Sequence, residues 1–482
     1  MEIDTTNWLK LRSGSYIRSR EENLTDEICS RVGYAFARML AERLGTTPDR
    51  LNIAVGCDTR VGGPRIKKLL ARGITAADSD VTDAGVCALP ALFMKVPQRR
   101  DDLTIHGAVM VTGGGAAMEM NGFKFVTPDG TFTEADVTQL LDMAAADPVP
   151  ERLVTKADLM ADYRAFLIRR AAELLEDDAL KPLLGLYVVV DVNSLAGSFY
   201  ADLLESLGAD IERVTDDPRA ETVHFGADMG VAFDVDSSRA WLFDAAGQPV
   251  DGNRLIALTA AMLLDKKPGQ TIVTDSVTST GLSAFIAEWG GVHYRFKRGY
   301  SQVFHEALRL NAEGINCPLA IESTGHAGFR ENGFLEDGIY LALRVACQEL
   351  DCKREGKSVF DPLADLSEAV ETLSLRLRIL DEDDPATSSQ EVVEIILSNT
   401  LEHPEWHMAS DSREGVRITF NLDGGISNAW FQLRMSVHDP IMALHAESDV
   451  PGGVRRILGE LYALINDTEL LDLQPLKEAV EK

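Results

Sequence analysis

Three stretches of this chain repeat one order of residues. LNIAVGCDTR (51–60), GLYVVVDVNSLAG (185–197) and QTIVTDSVTSTG (270–281) each run apolar, reach an aspartate and turn polar. Helical spacing follows each of them, in GGPRIKKLLARGITAADSD, SFYADLLESLGAD and LSAFIAEWGG. A short apolar run that ends in Asp, Ser or Thr and leads into an amphipathic helix is the pattern of a strand–helix unit in a parallel sheet. Ligands collect at the carboxyl ends of such strands. The pattern predicts three related α/β domains with parallel or mixed sheets, at 1–145, 146–255 and 256–376, the last closing on a long helical region over 336–376.

The remainder breaks the pattern. LDEDDPATSSQ reads as a linker or surface loop, REGVRITFNLDGG and NAWFQLRMSV as two strands around a glycine-rich turn, and PGGVRRILGELYALINDTELL as a closing amphipathic helix. A smaller α+β domain is expected over 377–482. A chain of 482 residues exceeds one ordinary core, which agrees with several domains. No apolar run reaches the ~20 residues of a membrane helix, and the N-terminus lacks a basic-then-apolar signal pattern. The six cysteines form no C-x-x-C pair and read as reduced thiols. A cytoplasmic protein is expected. A net charge of −29 repels nucleic acid and anionic membranes, so neither is expected as a partner. Arginines gathered in one place still suit a small anionic ligand.

Four segments carry side chains suited to chemistry. Asp234 and Asp236 form a D-x-D pair at the end of an apolar run, with Arg239 close behind; carboxylates in a tight loop suit Mg²⁺, and a solvated acidic turn is the alternative. Glu322, Ser323, Thr324 and His326 offer hydrogen-bonding groups for sugar hydroxyls, or else a capped helix start. Lys297 and Arg298, in RFKRGY, place cations beside a glycine. Arg434, Ser436 and His438 form a phosphate clamp or a plain strand-end turn. A fifth segment, MVTGGGAAMEMNGFKF (110–125), has the outline of an active-site loop with three glycines, Gly113 to Gly115, where side chains would act.

Taken in order, these segments resemble the α-D-phosphohexomutases, the phosphoglucomutase/phosphomannomutase family. VGCDTRVGGPRI resembles that family's G-R-D-T-R-x-S-G-P segment. VTGGGAAMEMNGFK aligns without a gap on its T-A-S-H-N-P-x-x-x-N-G-F-K loop. FDVDSSR resembles its metal loop D-G-D-G-D-R, ESTGH its sugar loop E-x-S-G-H, and RMSVHDP its phosphate loop R-P-S-G-T-E-P. The resemblance implies three α/β domains and a smaller fourth around a central cleft. The degenerate phosphoserine loop (112–117) would lie in the first, the metal loop (234–239) in the second, the sugar loop (322–326) in the third and the phosphate loop (434–440) in the fourth.

The resemblance also implies a chemistry, and this chain departs from it. The family phosphorylates the serine of its loop and passes that phosphoryl group to the sugar phosphate. Gly114 stands at the serine and Gly115 at the next histidine, so no catalytic residue is intact. Thr112 is the substitute to consider, but two positions along a strand is roughly 6–7 Å, too far for in-line transfer. The third metal-loop aspartate is Ser237 or Ser238, so Mg²⁺ is expected to bind weakly or not at all at Asp234 and Asp236. Tyr16 stands near a position where the family has a small or acidic residue. The connection between GADIERV and GADMGVAFD is short, where the family carries a longer one with a Pro-rich loop. Arg18, Arg60, Lys124, Lys297, Arg298, Glu322, Ser323, His326, Arg434, Ser436 and His438 remain as substrate- and phosphate-binding candidates. The expectation is an inactive or strongly impaired phosphohexomutase that keeps a site for a hexose 1- or 6-phosphate. An active mutase (an isomerase) with a rebuilt mechanism and a non-catalytic subunit with a protein partner are the alternatives.

Overall fold

The structure, a computed structural model, describes residues 8–96, 105–146, 149, 155–156, 158–177, 179–381, 383–400, 403, 405–436 and 439–481. It divides into two compact units, Met1–Asp251 with Thr324–Asp361, and Gly252–Ser323 with Pro362–Lys482. Among the described residues no helix is long and apolar enough to cross a membrane.

The first repeat builds an eight-stranded mixed sheet in the first unit. Strand Asn52–Cys57 is central because every residue after Asn52 is buried, and it runs parallel to Asp80–Val86 and to Gly107–Val111. Met120–Thr127 returns antiparallel to Gly107–Val111, and Tyr16–Arg20 lies antiparallel beside it. Cys57 is paired with Val111, so Asp58 and Thr112 leave the sheet side by side. Helix Asp26–Leu44 starts at Thr25, whose side chain accepts from the Ile28 N–H, and it ends at Gly45. It meets helix Gly63–Ala76 backbone to backbone: a Cβ at Gly33 would lie 2.1 Å from Leu70 O and one at Gly73 1.8 Å from Ser30 O. Phe36, Phe125 and Phe132 fill the space between helix and sheet, with ring centroids 4.9–5.6 Å apart.

The second repeat forms another sheet in this unit. Tyr187–Asp191 lies parallel to both Asp210–Val214 and Met229–Phe233, and Ala240–Asp244 pairs antiparallel with the latter. Phe233 faces Ala240, which makes residues 234–239 the tip of a hairpin. Helix Gly338–Arg354 starts against that tip, with the Gly338 N–H donating to Ser237 O at 3.0 Å. Asp337 caps it and accepts from the hydroxyl of the buried Tyr163 at 2.5 Å.

In the second unit Thr271–Thr274 lies between parallel neighbours Val292–Arg295 and Leu319–Ile321. A five-stranded antiparallel sheet follows, in the spatial order Glu371–Arg378, Ile441–Ser448, Ala429–Met435, Val416–Phe420, Trp406–Met408. Buried Arg417 joins it to the parallel strands, donating to Ser276 O and Thr278 O while its guanidinium lies 3.5 Å from the Trp430 ring centroid.

Three sequence expectations need correction. The helix expected over 336–376 stops at Arg354, where Gly356 turns the chain at φ 73°, and the later residues form a 3₁₀ turn and then a strand from Glu371. Part of the expected linker LDEDDPATSSQ is the start of helix Pro385–Asn399, since Asp384 caps it and proline is tolerated in the first turn. The closing segment, residues 451–471, is helical only over Gly453–Ile465, and a further helix, Gln474–Glu481, lies beyond it.

Candidate functional site

The loop 112–119 in the first unit is held by Arg60. Its Nε donates to Asp58 at 3.1 Å, and its terminal nitrogens donate to the carbonyls of Ala117, Met120, Gly114 and Ala116 at 2.5–3.0 Å. These bonds use every guanidinium donor, and Arg60 is 1% exposed. The phosphate contact expected of Arg60 is therefore replaced by a loop-holding one in this structure. Thr112 is 0% exposed; its hydroxyl donates to Asp58 Oδ2 at 2.6 Å and accepts from the Gly114 N–H at 2.8 Å. Burial pushes the Asp58 carboxyl above its ordinary range, against the hydrogen bonds from Thr112 and Arg60.

The three glycines differ in what surrounds them. A Cβ at Gly113 would meet Met120 O at 2.5 Å, and one at Gly115 would meet the Arg239 guanidinium at 2.1 Å. One at Gly114, where φ is 60°, would meet only Asp236 and Lys124, no closer than 3.9 Å. The vacancy at 114 thus faces the hairpin tip that carries the D-x-D pair.

At that tip, Lys124 Nζ lies 3.2 Å from Asp236 Oδ2 and 3.0 Å from Glu336 Oε2. Arg239 Nε lies 3.0 Å from Asp234 Oδ2. The Ser238 hydroxyl reaches both carboxylates, at 3.0 Å to Asp234 and 2.8 Å to Asp236. Burial, helped by repulsion from Asp236, pushes Asp234 up to about 6. Burial acts on Asp236 too, but Lys124 and Ser238 outweigh it and hold that carboxyl below its ordinary range. Glu336 is pushed up to about 7 by burial, and its Oε1 lies 3.7 Å from His326 Nδ1. Burial, with Lys124 and Arg239 near, keeps the His326 ring neutral. Arg18 stacks on Tyr16, 5.2 Å from the ring centroid, and has no ion-pair partner among the described residues.

The second unit gathers another set. Asp275 Oδ1 and Oδ2 accept from the Ser323 N–H and hydroxyl, at 3.1 and 2.7 Å, and Arg298 lies 3.7 Å from Asp275. Glu322 Oε1 accepts from the Gly299 N–H at 2.6 Å. Arg434 lies 3.6 Å from Glu414, a carboxylate for which the sequence offered no signal. The Ser436 hydroxyl accepts from the Asp439 N–H at 3.4 Å. Lys297 is exposed, and His438 lies outside the described residues. Glu322 and Ser323 thus belong to this set and His326 to the first unit. Glu336 and Glu414 are missed from sequence because their partners lie far away in the chain; Asp58, held by neighbouring Arg60 and distant Thr112, reads in the sequence only as the end of a strand.

Residues 12–147 match domain I, and residues 251–368 domain III, of the phosphoglucomutase/phosphomannomutase α/β/α architecture. A phosphomannomutase/phosphoglucomutase of Pseudomonas syringae pv. tomato is 26% identical over 86% of both chains. A phosphomannomutase of Salmonella typhimurium is 26% identical over 89% of this chain and 93% of its own. The crystal structure of a phosphoglucomutase/phosphomannomutase family protein from Burkholderia thailandensis superposes with a TM-score of 0.78 at 21% identity, covering 96% of this chain and 99% of that one. The chain belongs to the α-D-phosphohexomutase family.

Set against the phosphohexomutase pattern D-G-D-G-D-R, the hairpin tip resolves one ambiguity. Ser237 takes a left-handed φ of 70°, as the pattern's glycine can, so Ser238 stands at the third aspartate. The family's Mg²⁺ does not fit these residues. Only two carboxylates are present at the tip, Asp236 is ion-paired to buried Lys124 and Asp234 to partly buried Arg239, and the one proton of the Ser238 hydroxyl lies between them. A hard cation needs several free anionic oxygens to offset its dehydration.

Proposed function

We propose that this phosphohexomutase-family chain binds a hexose 1- or 6-phosphate and does not transfer its phosphoryl group. One observation carries the reading: position 114 has no side chain, and the nearest hydroxyl, on Thr112, is sealed from solvent and given to Asp58. The loop has no solvent-accessible hydroxyl to form the phosphoester on which the family's reaction turns. Binding is supported by Arg18 and Lys297, cations with no ion-pair partner among the described residues, and by the Arg298–Arg434 set. Affinity should be modest, because carboxylates already neutralise most of the other candidate cations. The reading places the protein in the cytoplasm, which suits its six free cysteines.

Titration calorimetry with glucose 1-phosphate, mannose 1-phosphate and glucose 1,6-bisphosphate, beside a coupled mutase assay, tests the reading. Micromolar-to-millimolar binding without turnover is the expected result. A second reading rests on the short Thr112–Asp58 bond, which has the form of a hydroxyl nucleophile on a base. A phosphate mapped to Thr112 by intact-mass and peptide spectrometry after exposure to the bisphosphate would establish that reading in place of ours.

A further inference from the structure

The phosphate-clamp region of the second unit already holds an anion, and the anion is part of the chain. Glu414 lies in the connection between strands Trp406–Met408 and Val416–Phe420. Its Oε1 accepts from the Arg298 backbone N–H at 3.0 Å and from the Ser276 hydroxyl, and it lies 3.6 Å from Arg434 Nε. A backbone N–H, a hydroxyl and a guanidinium converging on one oxygen are the donors that a phosphate oxygen recruits. The next N–H, of Gly299, is taken by Glu322, and helix Tyr300–Ala312 starts just beyond, turning its positive end toward both carboxylates.

Two further features argue against a casual surface contact. Arg434 is 7% exposed, and its Nε is buried without a hydrogen-bond partner among the described residues, so a donor remains aimed at this place. Gly415, at φ 54°, presses against the strand that carries Arg434: a Cβ there would lie 2.1 Å from Leu433 O and 2.8 Å from Arg434 Cα. Close backbone packing therefore fixes where Glu414 starts.

We infer that Glu414 is an internal competitor that sets how tightly the Arg298–Arg434 site takes a phosphate monoester. An incoming phosphate must displace the carboxylate from the Arg298 N–H and Ser276, and must then bear its repulsion. Asp275, Glu322 and Glu414 set one carboxyl group against each of the cations Lys297, Arg298 and Arg434, which weakens the pull of this set on a dianion. Burial raises the Glu414 carboxyl above its ordinary range, as suits a charge kept close to the limit of what its donors can hold.

The inference rests on the proposed sugar-phosphate reading, and the test separates the two. Inorganic phosphate and glucose 1-phosphate are titrated calorimetrically into the full chain as wild type, Glu414→Gln and Glu414→Asp. Glutamine keeps the acceptor for the Arg298 N–H and removes the charge; aspartate keeps the charge and withdraws the oxygen. Glu391→Gln, exposed on helix Pro385–Asn399, controls for net charge. Removal of one like charge at contact distance should tighten binding on the order of tenfold in Glu414→Gln. Glu414→Asp should tighten it less, and Glu391→Gln should leave it unchanged. Binding by Glu414→Gln when the wild type shows none supports both statements. Wild-type binding that Glu414→Gln leaves equal or weaker, or that Glu391→Gln tightens equally, overturns the role of Glu414 and leaves the binding reading standing. No binding by any variant that melts like the wild type overturns the binding reading, and the inference with it.

Discussion

At Gly114 the loss of chemistry comes down to one missing Cβ with open space before it. Gly114→Ser would point its hydroxyl toward Lys124 and Asp236, but at φ 60° it would bear about 1–2 kcal/mol of backbone strain. The single substitution should lower the melting temperature and yield no turnover, because Ser238 still offers the D-x-D pair a neutral hydroxyl where a third carboxylate would complete it. Gly114→Ser with Ser238→Asp is the minimal combination to assay for phosphoprotein by intact mass. Turnover by Gly114→Ser alone would show that the incomplete metal loop is no obstacle. Thr112 makes the complementary case. Thr112→Val keeps the shape but strips Asp58 of a buried donor, so urea unfolding should report a loss of about 1–3 kcal/mol while sugar-phosphate affinity stays unchanged. A fall in affinity would place Thr112 in the binding site.

Among the elements, the pair of helices over the first sheet depends on two glycines for contact rather than for flexibility. Gly73→Ala drives a methyl group into Ser30 O, a backbone atom that cannot swing aside. Overpacking of this kind costs roughly 1–3 kcal/mol, readable as a lower urea midpoint at unchanged slope. The hairpin tip 234–239 is likewise one unit, closed on itself by Arg239 and Ser238 and tied to strand Met120–Thr127 by Lys124. Low-millimolar Mg²⁺ should shift the melting temperature no more than KCl of matched ionic strength. A larger shift, abolished by Asp234→Asn, would show that the tip opens to take the cation.

Across the first unit, buried acids set how stability responds to pH. Asp337 caps helix Gly338–Arg354 and accepts from Tyr163, and burial pushes its carboxyl up from 3.8 to about 7. The folded state then keeps a proton that the unfolded chain releases, so this group's contribution is full below about pH 4 and is lost as pH rises through about 7. Asp337→Asn can still accept from Tyr163 and the Tyr340 N–H, both of which reach Oδ1. Relative to that variant, the wild type should lose stability between about pH 4 and pH 7 in denaturant titrations. Parallel curves for the two proteins would assign the pH response to other groups.

Whatever depends on neighbours along the chain could be read from the residues alone. The repeated run of apolar residues, aspartate and helix located strands Asn52–Cys57, Tyr187–Asp191 and Thr271–Thr274, since burial of a strand and amphipathicity of a helix are properties of a short window. The loss at position 114 was equally legible, because glycine cannot carry a phosphoryl group in any fold. Ser237 and Ser238 could be told apart only by backbone angle, and proline at the start of helix Pro385–Asn399 disguised it as a loop. The roles of Arg60, Glu336 and Glu414 were set elsewhere. Arg60 bonds to carbonyls more than fifty residues away, and Glu414 joins Ser276, Arg298 and Arg434. A buried charge takes its function from whichever partners satisfy it, and those partners meet only when the chain has folded.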